Sequence, residues 1–138
     1  MHQQNGLFCT FVLLFLYFSP VMAELKGIEP ADLETIIRQG VPVIDIRTSD
    51  EWKATGTIPS SHKLTFFRKD GKSDPQQWLT EFKKIVPDSD QQFVLVCRSG
   101  GRTGMVGQFL YNKIGMKNVL HLEHGILSWM QQNKPVTR

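Results

Sequence analysis

The chain has 138 residues, with 16 Lys and Arg against 13 Asp and Glu, a net charge of +3 and 41% hydrophobic residues. That balance excludes disorder, and the absence of an internal repeat makes this one domain, long enough to bury a core without disulfide staples. The modest positive charge comes with no basic stripe and no aromatic RNA-binding motif, so nucleic acid is not an expected partner.

Residues 1–23 stand apart in composition. Leu7 to Phe18 is an apolar run, followed by Ser19-Pro20-Val21-Met22-Ala23, with Val21 and Ala23 at the two selective positions of a small-residue cleavage site. The run is short of the ~20 residues that span a bilayer. Residues 1–23 are therefore expected to be a signal peptide and residues 24–138 the mature domain. Export, to the bacterial periplasm, is expected, with no stable membrane association after cleavage.

Strand-like and helix-like stretches then alternate. Pro30 to Gln39 has apolar residues at helical spacing between an initial proline and Gly40. Val43 to Ile46 is a short buried strand, and Lys63 to Phe67 alternates as another. Asp74 caps a helix with Pro75 in its first turn and Trp78, Leu79, Phe82 and Ile85 on its buried face. Phe93 to Val96 is the central strand, Thr103 to Ile114 a helix ending at Gly115, Val119 to Leu122 the last strand and Ile126 to Gln132 the last helix. Such alternation predicts an α/β fold with a mostly parallel sheet.

The chemistry concentrates after the central strand, in Cys97-Arg98-Ser99-Gly100-Gly101-Arg102-Thr103. A strand ending at Cys97 delivers the thiol to the carboxyl edge of a parallel sheet, where α/β proteins place ligands. Gly100 and Gly101 allow a turn whose amides converge as a nest for negative charge, and the following helix adds its positive end. Arg98 and Arg102 add full charges. A free cysteine titrates near ~8.5, and such surroundings lower this to roughly 3.5–7.5, so a thiolate nucleophile is expected without a base adjacent in sequence. Removal of residues 1–23 also removes Cys9, leaving Cys97 without a disulfide partner; a lone thiol in an oxidising compartment argues for use.

The loop resembles that of the rhodanese-like sulfurtransferases: a cysteine, four residues, then arginine and serine or threonine. Two more stretches resemble the same family in the same order. One is Val43-Ile44-Asp45-Ile46-Arg47, then Glu51-Trp52, then Gly56-Thr57-Ile58-Pro59; the other is Leu122-Glu123-His124-Gly125-Ile126-Leu127-Ser128-Trp129, closing with Pro135-Val136. The resemblance spans about Gly27 to Val136. The chain departs from the family where Thr57, Ser60 and Ser61 replace His, Gly and Ala, and where His124-Gly125 replaces Gly-Gly. The resemblance implies a five-stranded, mostly parallel sheet with helices on both faces. It also implies a thiosulfate sulfurtransferase-like activity: Cys97 takes sulfur from a small anionic donor as a persulfide and passes it to a thiol or cyanide, without metal or organic cofactor. Arg98 to Thr103 are then the substrate-binding loop.

Asp45 and Arg47 are expected to support the loop. Asp45 either bonds loop amides or pairs with Arg102; Arg47 either faces the pocket or pairs with a carboxylate such as Glu51. Arg68, Lys69 and Lys72 are either plain surface or the rim of the pocket, drawing anions in. His121 and His124 lack the neighbours of a metal site. Two alternatives remain. Cysteine-dependent phosphatases and arsenate reductases also run a thiolate into an arginine-ending loop, but with five intervening residues instead of four. A sulfur carrier or sensor without turnover would keep the same cysteine.

If residues 1–23 are removed on export, mass spectrometry of the protein from its native host will show Glu24 as the first residue; a chain retaining Leu7 to Phe18 in the membrane would instead identify an anchor.

Overall fold

The computed structural model describes residues 25–138, so the expected signal peptide lies outside the described residues. Strands β1 (Lys26–Ile28), β2 (Val43–Asp45), β3 (His62–Lys63), β4 (Phe93–Val96) and β5 (Val119–Leu122) form one sheet in the order β1-β5-β4-β2-β3. Every neighbouring pair is parallel. Helices α1 (Pro30–Arg38), α2 (Ser49–Thr55), α3 (Pro75–Ile85), α4 (Gly101–Phe109) and α5 (Gly125–Gln131) connect them. No described helix is long and apolar enough to cross a membrane.

The pleat sorts side chains onto two cores. Ile44, Phe93, Leu95, Cys97 and Val119 pack with Trp78, Phe82, Val106 and Leu110 of the α3 and α4 side. Val43, Val94, Val96, Leu120 and Leu122 pack with Leu33, Ile126 and Trp129 of the α1 and α5 side. Because successive strand residues point to opposite faces, the four apolar residues of β4 serve both cores, which is why this strand reads as a continuous apolar run. The expected helices on both faces are present.

Several boundaries differ from expectation for local reasons. α4 begins at Gly101, two residues before the expected Thr103, and passes into a π-helical turn at Leu110–Ile114 before Gly115 ends it in the left-handed conformation. The predicted strand Lys63 to Phe67 is reduced to the ladder of His62–Lys63, both exposed at the sheet edge. The chain nevertheless follows β2 onward, with Leu64 N–H on the Asp45 carbonyl at 2.9 Å and Phe66 N–H on the Ile46 carbonyl at 3.1 Å. Ser60, where the family pattern has glycine, adopts φ +68°, a conformation disfavoured for residues carrying a Cβ.

Asp45 and Arg47 are both buried and pair with each other. Arg47 Nη2 lies 2.8 Å from Asp45 Oδ2, and Arg47 Nε donates to both carboxylate oxygens at 3.0 and 3.1 Å. Two further guanidinium hydrogens go to Thr55 Oγ1 and to the Gly56 carbonyl, both at 2.8 Å, so Arg47 closes the C-terminal end of α2. Neither expected partner of either residue is used, and the pleat supplies the reason. Asp45 lies opposite Val96 in the ladder and therefore faces away from Cys97.

A buried charge left without its partner is costly, whereas an apolar pair of similar volume is tolerated. Arg47→Met is expected to lose about 3–5 kcal/mol of stability in urea unfolding. The double variant Asp45→Leu/Arg47→Met should recover a substantial part of that loss.

Candidate active site

Cys97 follows β4 directly and is buried, only 1% exposed, on the α3 and α4 side of the sheet. Its Sγ accepts a hydrogen bond from Gly100 N–H at 3.1 Å and lies 3.5 Å from Thr103 Oγ1. Gly100 makes this turn possible. It has φ +99°, and any Cβ there would overlap the Glu123 carbonyl. The turn leads straight into α4, whose N-terminal end therefore sits at the sulfur.

The second wall of the loop is the turn between β5 and α5. Ile126 N–H donates to the Cys97 carbonyl at 2.9 Å, and Leu127 N–H to the Arg98 carbonyl at 3.2 Å. Gly125, at φ +65°, presses against the Arg98 carbonyl where a Cβ would overlap. His124, at φ −105°, does not need glycine's freedom, which explains why one glycine of the family's pair is dispensable here.

The expected loop residues divide by exposure. Arg98 and Ser99 are exposed at the lip, Gly101 is exposed at the start of α4, and Thr103 is buried under the loop. Arg102 does not turn its guanidinium to the sulfur. It binds Glu51 in a bidentate pair at 2.9 and 2.6 Å. Glu51 is prepared for this by a capping box at the start of α2: its N–H donates to Thr48 Oγ1 at 3.4 Å and its Oε2 accepts from Thr48 N–H at 3.0 Å. The sequence showed Glu51-Trp52 as a motif but not the helix they begin.

Electrostatics follow this geometry. Hydrogen bonds from Arg102 hold the Glu51 carboxyl down to about 2, against the opposing effect of burial and with help from Thr48. Arg102 is pushed up, first by Glu51 and, more weakly, by Cys97 and Asp45. Around the pair lies an open cleft of about 560 Å³ lined by Thr48, Glu51, Phe67, Arg68, Lys69, Gly71, Arg102 and Met105. Arg68 and Lys69 thus belong to the rim next to the loop's arginine, while Lys72 is not part of it. Met105, at 60%, is the exposed large apolar side chain among the described residues.

The two histidines diverge. His124 turns toward Glu29, 3.7 Å away, beside Glu123 at the surface. His121 points inward, and its Nδ1 lies 2.9 Å from Thr103 Oγ1. From the sequence, His121 reads only as a candidate metal ligand beside His124, and Thr103 is not found as its partner. The strand period was the available signal, because it puts His121 on the same face as Val119, Leu95 and Cys97.

Since Glu51 titrates near 2 in the folded protein and at the ordinary 4.5 otherwise, its pair stabilises the fold fully above pH about 4.5. That contribution is lost as pH falls through about 2. Glu51→Gln should flatten this part of the acid-unfolding profile followed by circular dichroism, leaving the neutral-pH profile parallel to that of the wild type.

Comparison with known proteins agrees with this geometry. The Rhodanese-like domain family matches residues 29–132. The Bacillus subtilis (strain 168) protein named "Putative sulfurtransferase YtwF" is 31% identical over 114 residues, covering 81% of this chain and 97% of that protein. Among solved structures, a rhodanese-related protein from Thermoplasma volcanium superposes with a TM-score of 0.61 at 25% identity, covering 81% of this chain and 97% of that one. The polysulfide-sulfur transferase homodimer from Wolinella succinogenes shares the fold with a TM-score of 0.64 at 21% identity, covering 83% and 80%. From the match over residues 29–132, with a cysteine loop formed as the family pattern requires, the chain belongs to the rhodanese-like domain family.

Proposed function

We propose that the protein is a sulfurtransferase that carries sulfane sulfur on Cys97. The observation that carries this reading is the sulfur's position at the head of α4, with Gly100 N–H 3.1 Å from Sγ and the Thr103 hydroxyl 3.5 Å away. Donors aimed at a sulfur atom stabilise negative charge on it, whether that sulfur is a thiolate or the inner atom of a persulfide. The sulfurtransferase name of the Bacillus subtilis relative supports the same chemistry.

In the first half-reaction the Cys97 thiolate attacks the outer sulfur of thiosulfate or a similar anion. The new Sγ–S bond forms as the donor's S–S bond breaks, and sulfite leaves with the electron pair. In the second half-reaction a thiolate or cyanide attacks the outer sulfur. The Sγ–S bond breaks and the thiolate returns. Electrons balance between donor and acceptor, so the cycle calls for no redox cofactor. Arg98 at the lip and Arg68 and Lys69 at the cleft rim draw the anionic donor toward the loop. Because Cys97 is almost fully buried, a small donor head group is favoured.

The phosphatase alternative is disfavoured by loop length. Four residues separate Cys97 from Arg102, one fewer than in the cysteine-dependent phosphatases, and a shorter loop has less room for a tetrahedral phosphoryl group around the sulfur. The non-turnover carrier is distinguished by discharge alone. The proposed setting is the periplasm, reached by export through residues 1–23, an oxidising compartment in which burial of the Cys97 thiol limits adventitious oxidation.

Incubation with thiosulfate should add one sulfur mass to Cys97, and cyanide or a low-molecular-weight thiol should remove it catalytically. Cys97→Ser should abolish both steps while retaining the wild-type circular dichroism spectrum, and aryl phosphate hydrolysis should be negligible. Loading without discharge to any acceptor would identify a carrier, and efficient aryl phosphate turnover would move the protein to the phosphatase class.

A further inference from the structure

Thr103 Oγ1 stands between two titratable groups. It lies 3.5 Å from Cys97 Sγ and 2.9 Å from His121 Nδ1, and its third neighbour is the Gly100 carbonyl at 3.1 Å. A hydroxyl has one proton to give and lone pairs to accept with. Three acceptors therefore compete for one proton, and the protonation state of the imidazole decides the outcome.

The fold fixes this alignment from three elements. β4 ends in Cys97, α4 carries Thr103 in its first turn, and β5 presents His121 opposite Leu95 in the parallel ladder. Leu95 and Cys97 lie two residues apart on one strand face, and His121 shares that face.

Resting on the sulfurtransferase reading, we infer that His121 is a positioning residue that activates Cys97 at one remove, with the Thr103 hydroxyl as the proton conductor. In the resting arrangement the Cys97 thiol donates to Thr103 Oγ1, which donates to His121 Nδ1. Activation moves one proton from Sγ to Oγ1 and another from Oγ1 to Nδ1. The products are a thiolate and an imidazolium, and every bond in the row reverses. Nδ1–H now donates to Oγ1, and the hydroxyl donates to the sulfur beside the Gly100 N–H. No proton is lost to solvent, and the Gly100 carbonyl, which gives up the Thr103 hydroxyl in both arrangements, keeps the Gly104 N–H at 3.0 Å.

The surroundings of the ring act on its charge in both directions. Burial disfavours the imidazolium and lowers the His121 pKa, His124 adds to that effect and Glu123 opposes it. The other charged or titratable groups on the elements around it are Lys26 on β1, Cys97 after β4 and Arg102 on α4, the last already held by Glu51. Glu123 is therefore the carboxylate acting to hold the imidazolium once it forms.

The test reads the thiol without any sulfur substrate. The rate of Cys97 alkylation by iodoacetamide is followed against pH in the wild type, His121→Asn, Thr103→Val and the double variant. Asparagine can still accept the Thr103 proton but cannot bind it. The alkylation midpoint should rise by about one unit in each single variant, with about tenfold slower alkylation on its acid side. The double variant should show no further shift, because both substitutions break one row. In the wild type, capping Cys97 as its methyl disulfide should move the NMR titration of the His121 ring, a readout that needs no variant to fold. Wild-type-like alkylation in His121→Asn, additive shifts in the double variant, or a His121 titration indifferent to the cap would each overturn the relay. Persulfide loading from thiosulfate on the same wild-type sample separates the two readings: absent loading sinks the sulfurtransferase assignment, while the alkylation and NMR data still decide the relay.

Discussion

The site depends on a place where two stretches of backbone touch with no side chain between them. Gly100 lies against the Glu123 carbonyl and Gly125 against the Arg98 carbonyl, so a Cβ at either position forces the two turns apart. Close approach lets the first turn of α5 give its free amides to the Cys97 and Arg98 carbonyls. A helix end otherwise leaves these amides unpaired, and a reversing loop otherwise leaves such carbonyls stranded. Once the carbonyls are satisfied on the α5 side, the turn can present the Gly100 amide to the sulfur on the α4 side. Polarity at Sγ is thus a result of where the loop's carbonyls go.

Two arginine–carboxylate pairs then hold the surroundings, each doing a different task. Asp45 and Arg47 are sealed within the fold and tie the end of β2 to the end of α2. Glu51 and Arg102, each about a quarter exposed, tie the start of α2 to the start of α4 across 51 residues of sequence. The second pair is screened by solvent and contributes less to stability than a buried one whose partner is lost. Its value is geometric, because Glu51 fixes Arg102 at the cleft and so fixes the first turn of α4. The positive charge of Arg102 is largely compensated there, which leaves the Gly100 amide as the donor at the sulfur, with the Thr103 hydroxyl 3.5 Å away.

Strand β4, strand β5 and helix α3 were legible in the sequence to the residue or nearly so, because long apolar runs and a capped amphipathic pattern are strong signals. Helix α2 was not legible: it buries no residue fully and has no apolar stripe, and only its Thr48–Glu51 capping box betrays it. β1 was missed because three residues with one buried side chain carry no period. At the site, Cys97 and the glycine turn were legible because the spacing itself makes the turn. The pairings were not, since Asp45, Arg47, Glu51 and Arg102 exchange partners according to the pleat and to contacts across the sheet. Ser60 and His124 show the converse. Both occupy positions where the family pattern has glycine, but only Ser60 sits at positive φ, so one departure is strained and the other is free.

The same parity that misled the placement of Asp45 supplies the partner of Thr103. Period two sends Asp45 to the face of Val96 and sends Leu95, Cys97 and His121 to the other. A thiol at a strand end therefore finds companions on alternate residues of the neighbouring strand, provided that a helix brings a polar group between them. Here that group is Thr103, buried and three residues past the left-handed Gly100. One more residue in the loop would advance α4 by about 100° relative to the strand, since the helix has 3.6 residues per turn. That rotation would carry the hydroxyl off the line between Sγ and Nδ1. Loop length therefore sets the position of Arg102 and the alignment of Thr103 together, so that the proposed relay and the proposed preference for sulfur over phosphorus rest on the same four residues.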